Sequence, residues 1–215
     1  AATPAGAEML KGPLTVDAIN SEEFADAFRT VATLDQQNGS ANSSVNANDF
    51  AADFNNGLSA VFINGVWGAS QFAGSDNFVS CIYPNSVAIS SANTGLYVAN
   101  DLSDAQKELA LEFIKYMTSE EVQSRYFLET SSNPINENVD IQKLAQESGD
   151  PTALKLAEAC DKCNKADTIV LAIDVCWGND VGGALQNKFA ECAVAGTDIE
   201  AKLAELQAEL TALIG

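Results

Sequence analysis

At 215 residues the chain is long enough to bury a core without metal or disulfide staples, either as one large domain or as two small ones. Its 47% hydrophobic and 19% charged content is ordinary for a globular protein, and no apolar run reaches the roughly 18 residues of a membrane-spanning helix. Eleven basic against thirty acidic residues leave a net charge of −19, which repels phosphate backbones and anionic membrane faces and argues against nucleic acid as a partner.

Ala1 to Pro13 has no basic stretch followed by an apolar one, so any export signal is expected to be removed or to lie outside this sequence. Residues Ser21 to Leu34 place Phe24, Ala27, Phe28, Val31 and Leu34 at helical spacing, with Ser21 as N-cap and two glutamates in the first turn. Gln36 to Asn48 has the composition of a loop, and Asp49 to Phe54 is predicted as a short helix ended by Asn55, Asn56 and Gly57. Strands are predicted at Leu58–Asn64, Val79–Tyr83, Ser86–Ser90 and Leu96–Ala99, with Trp67 on the turn after the first. Ser103 with Gln106 makes a capping-box pair ahead of a long amphipathic helix, and Thr118 with Glu121 predicts a second helix directly after it. From Ile141 the pattern is helical to the end, interrupted near Gly149-Asp150-Pro151, around Asp167 to Trp177, and at Gly196, with Thr197 and Glu200 capping the last helix.

The chain has no histidine, which removes the commonest general base, the Ser-His and Cys-His pairs and most catalytic zinc sites. Thirty acidic residues leave room for a carboxylate-based glycoside hydrolase, but no paired-carboxylate motif stands out and the acids sit mainly on predicted helix surfaces. A helical protein-interaction module built on residues 141–215 is a further alternative. The five cysteines, Cys81, Cys160, Cys163, Cys176 and Cys192, match no zinc spacing. Cys160 and Cys163 form a Cys-x-x-Cys late in a helical run, where a thioredoxin-like pair does not fall. Neither a metal nor another cofactor is expected.

Four segments carry a family resemblance. They are Asn48 to Gly68 with its Asn-Gly-x-Trp turn, Val79 to Pro84, Thr94 to Phe127, and Ser132-Asn133-Pro134-Ile135. In this order they resemble the C-terminal half of family 1 extracellular solute-binding proteins, the group that includes maltose-binding protein. The segment between Pro84 and Gly95 is shorter than in that family and lacks its glycine pair.

The resemblance implies an α/β fold, periplasmic-binding-protein-like and type II, two-lobed but partial, with mixed sheet strands and a predominantly helical C-terminal tail. It implies one lobe from residues 1–82 and 137–215, and a return of the other lobe in 83–136, incomplete without upstream chain. The sequence is therefore expected to be an expression fragment or a proteolytic product. The implied function is that of an extracellular or periplasmic, lipid-anchored receptor, not an enzyme, that passes a sugar or oligosaccharide to ABC permease subunits. Trp67 matches the family's stacking tryptophan. Asn64 is a turn residue first and a ligand hydrogen-bonder second, Trp177 is either a second ligand-facing aromatic or a buried one, and Asn93 serves its turn before any ligand. In an exported protein one disulfide among the tail cysteines is expected.

Overall fold

Helices dominate the described backbone, and most begin where a short polar side chain takes up a free N–H group. The computed structural model describes residues 3–37, 47–72, 78–91 and 95–215. In chain order the elements are α1 (Pro4–Met9), α2 (Val16–Ile19), α3 (Glu22–Gln37), α4 (Ala47–Asn55), a 3₁₀ helix at Val66–Phe72, β1 (Val87–Ser90), α5 (Asp104–Met117) and α6 (Glu120–Thr130). They continue with α7 (Ile141–Ser148), α8 (Pro151–Asn164), β2 (Thr168–Leu171), α9 (Ile173–Cys176), α10 (Asn179–Cys192) and α11 (Ile199–Ile214).

Packing divides the chain into two units. The first comprises Ala1–Val45, Tyr83–Asn93 and Ala166–Gly215. Its core forms where the apolar stripes of α3, α10 and α11 meet, around Ile19, Phe28, Val181, Leu206 and Leu210, and Phe28 stacks on Phe189 at 5.0 Å between ring centres. Arg29 on α3 grips both carboxylate oxygens of Glu200 on α11, at 2.7 and 3.1 Å, and also reaches Glu22 and Asp26. Lys188 on α10 and Lys202 on α11 share Glu191 and Glu205 in a four-membered ion network. A two-stranded parallel sheet pairs Val87 with Thr168 and Ser90 with Leu171, covered by Ala7 and Leu10.

The second unit comprises Asn46–Ile82 and Thr94–Lys165. Phe127 of α6 is fully buried among Ala69, Ala145, Ala153, Leu156, Ala157 and Cys160, so the 3₁₀ helix, α7 and α8 close around one aromatic ring. Lys155 and Lys162 on α8 donate to the carbonyls of Phe78 and Ser80, which lays the extended segment 78–82 along that helix. The units group residues differently from the lobes that the resemblance implies. Both divide the chain after Ile82, but the units keep Thr94–Asn136 with Asn46–Ile82, because Phe127 packs there.

The predicted helices appear with small shifts. Ser119, not Thr118, caps α6 by accepting from the Val122 N–H, while the Thr118 hydroxyl donates back to the Ile114 carbonyl. Asp198, not Thr197, caps α11, since its carboxylate takes the N–H groups of both Glu200 and Ala201. The strands differ more. Only Ser86–Ser90 materialises, as β1. Leu58–Asn64, Val79–Tyr83 and Leu96–Ala99 carry no ladder among the described residues beyond one antiparallel bridge between Tyr83 and Val87. A strand exists through its partner, and with none supplied Leu58, Val61, Ile63, Val79 and Tyr97 stay exposed. β2 falls where a break between helices was predicted, its Thr168-Ile169-Val170-Leu171 run stabilised by β1.

The tail disulfide does not form. All five thiols are free, with Cys160 buried in the second unit's core and Cys192 in that of the first. Burial pushes the Cys160 thiol up to about 12, with the neighbouring Cys163 adding to the shift. Among the described residues no His, Cys, Asp or Glu cluster is arranged to hold a metal ion, and no helix is long and apolar enough to cross a membrane.

Candidate functional site

The turn at Asn64–Gln71 contains three polar residues, Asn64, Ser70 and Gln71, and two glycines. The Asn64 side-chain carbonyl accepts from the Gly65 N–H at 2.8 Å, and the Gly68 N–H closes onto the Gly65 carbonyl at 2.9 Å. The Asn64 amide reaches Gln71 at 3.4 Å, and Asn55 at the end of α4 donates to the Gln71 carbonyl at 3.0 Å. Ala69 plugs the turn into the core beside Phe127. The turn is therefore fixed to α4 on one side and to α6–α8 beneath.

Trp67 stands out from this base with 58% of its surface exposed. Its ring lies across Gly65 so closely that a Cβ at that position would collide with the six-membered ring. Gly68 is similarly covered, its absent Cβ lying 3.0 Å from the Asn64 amide nitrogen. The Asn-Gly-x-Trp-Gly sequence thus specifies a flat, presented indole whose inner face rests on backbone. Such a plate offers apolar contact to a ring with C–H faces, with amide groups at its edge.

Of the other site residues of the sequence reading, only Asn64 shares this turn. Asn64 sits at the exposed foot of the Trp67 turn, where its side chain serves the backbone. Trp177 belongs to the first unit, where it packs against two apolar clusters. Its indole nitrogen is buried and has no hydrogen-bond partner among the described residues. Asn93 lies outside the described residues. Sequence reasoning missed Asn55 and Gln71, whose roles are backbone and side-chain contacts made across the turn; their amide chemistry beside the glycines was the available signal.

The family model described as bacterial extracellular solute-binding protein matches residues 5–152. The chain belongs to this family of bacterial extracellular solute-binding proteins. Among solved structures, a Streptococcus pneumoniae solute-binding protein in complex with the blood group A-trisaccharide superposes with a TM-score of 0.90 at 38% sequence identity. The match covers 98% of this chain and 54% of that one, so the chain spans about half the length of the protein it resembles. No curated protein matches the chain. The fold class is accordingly the type II, periplasmic-binding-protein-like α/β fold, present in part, and both matches are to binding proteins and not to enzymes.

Proposed function

We propose that the chain is part of the substrate-binding component of an ABC-type importer and captures a neutral sugar or oligosaccharide for delivery to membrane permease subunits. The observation that carries this reading is the exposed indole of Trp67, held across Gly65 on a turn pinned from both sides. A pyranose ring lays its C–H face on such a plate while its hydroxyls turn to amides, and Asn64 stands at the edge. The −19 charge disfavours anionic solutes. Similarity to a protein holding a trisaccharide supports the same solute class.

Trp177 is assigned a secondary contact through its half-buried ring, the indole nitrogen itself being buried. Asn93 takes at most a supporting contact. In the whole protein, residues 1–82 and 137–215 form one lobe and 83–136 return to the other, and closure of the lobes traps the solute because contacts exist on both sides. The protein works outside the cell, held to the membrane by a lipid anchor.

Thermal unfolding with a panel of saccharides, including the A-trisaccharide, tests the reading. A ligand at 100 times its Kd adds about 2.7 kcal/mol, which raises Tm by several degrees. Trp67→Ala lowers affinity on the order of 30-fold, the cost of about 2 kcal/mol for losing an aromatic contact, and leaves the unliganded Tm unchanged because the ring is exposed. A panel without any shift contradicts the proposal.

A further inference from the structure

A cleft of about 380 Å³ opens in the second unit, between the chain that follows α6 and the end of α8. Its construction is unusually fixed for a loop. α6 stops at Ser131, whose left-handed backbone (φ 54°) turns the chain back. Gln123, a buried polar side chain with 6% exposure, then donates to the Met117 carbonyl at 2.8 Å and accepts from the Ile135 N–H at 2.9 Å. Asn136 donates to the Thr118 carbonyl at 2.8 Å and accepts from the Asn138 N–H, and Asp140 caps α7 through the Lys143 N–H. The loop is thereby tied at two points to the α5–α6 junction. A wall fixed before binding pays little ordering entropy when a ligand arrives.

The lining mixes polar and apolar side chains. Asn133, Glu137 and Asn164 face the cleft, and their side chains form no hydrogen bond with the described residues, whereas Pro134, Val139 and Ile141 supply apolar walls. Two amides offer both donors and acceptors and the carboxylate accepts, the mixture a hydroxyl-rich neutral molecule satisfies. No lysine or arginine lines the cleft, so it does not suit an anion. Its size lies in the lower part of the range of about 300–1,000 Å³ for small-molecule pockets.

This cleft and the Trp67 turn belong to the same packing unit. Val66, next to Trp67, and Ile141, in the cleft wall, both pack on the cluster around Phe127. We infer that the cleft is a second saccharide subsite, in which Asn133, Glu137 and Asn164 take hydroxyl groups; the inference rests on the solute class proposed above.

Two-dimensional NMR of the ¹⁵N-labelled protein separates the two sites. The A-trisaccharide, galactose, glucose and maltotriose are titrated, with spermidine as a cationic control, while the Asn133 and Asn164 side-chain amides and the Trp67 indole N–H are followed. Saturable saccharide shifts at both asparagines support the subsite, as do Kd values raised about three- to tenfold in Asn133→Ala, Asn164→Ala and the isosteric Glu137→Gln. Movement of Trp67 alone overturns the subsite and leaves the Trp67 proposal standing. Movement of the asparagines alone supports the cleft and rejects Trp67. A response to spermidine only, or to none of the probes, overturns the inference.

Discussion

Gly65 is the residue whose identity the geometry constrains most, because the Trp67 ring occupies the space of its Cβ. A methyl group there lifts the indole off its backbone rest without touching the core. Gly65→Ala is expected to weaken saccharide binding nearly as much as Trp67→Ala, with circular dichroism unchanged; calorimetric affinity equal to that of the parent protein contradicts this. The turn was legible because Asn-Gly-x-Trp encodes it locally. Trp177 was not, since the two clusters it packs against draw their residues from distant parts of the chain. The thiols make a second residue-scale test. Exposed Cys81 reacts with Ellman's reagent in the native protein, whereas Cys160 and Cys192, buried and with thiol pKa values raised chiefly by desolvation, react only on unfolding. Rapid native reaction of all five thiols refutes that picture.

Among the elements, helices were readable and strands were not, and the difference is physical. A helix satisfies its own backbone, and Ser103 with Gln106 writes the start of α5 into four consecutive residues. A strand needs a ladder partner, which for β1 lies far along the chain in β2 and for Leu58–Asn64 is missing from the described residues. α5 shows the same dependence. Its amphipathic pattern is clear, yet none of its residues is buried, and Leu109, Phe113 and Tyr116 remain exposed. The strongest element-scale dependence runs through Phe127. Phe127→Ala removes the ring that α6, α7, α8 and the 3₁₀ helix share, and is expected to cost about 3–5 kcal/mol in urea unfolding. Because Ala69 loses its seat as well, saccharide affinity falls with it; an unchanged unfolding midpoint contradicts this packing account.

At the scale of the whole molecule, charge decides both partners and acid stability. The Glu200 carboxyl is held below its ordinary value of 4.5 by its hydrogen bonds from Arg29, and Glu191 and Glu205 are held down by Lys202 first and then Lys188. A carboxyl with a lowered pKa in the folded state stabilises the fold fully above 4.5, and the contribution is lost as pH falls through the folded-state values. Glu158 is likewise lowered, first by its hydrogen bond from Lys162, and Asp35, raised by burial, opposes these four as a single group. Tm is therefore expected to decline below about pH 4.5, less steeply in Lys202→Met, and a flat profile from pH 7 to 3 contradicts the role given to these pairs. High salt weakens the effect, since the pairs are exposed.

The lobed class was legible from four ordered segments. The packing of Thr94–Lys165 with Asn46–Ile82 was not, because one buried phenylalanine decides it. The most direct test of the carrier function uses the two tryptophans of the chain. With both replaced by 5-fluorotryptophan and assigned through Trp67→Phe and Trp177→Phe, fluorine NMR follows each ring as saccharide is added. The account predicts a saturable shift of the Trp67 signal with at least one neutral saccharide. A Trp67 signal that stays in place throughout the titrations contradicts it.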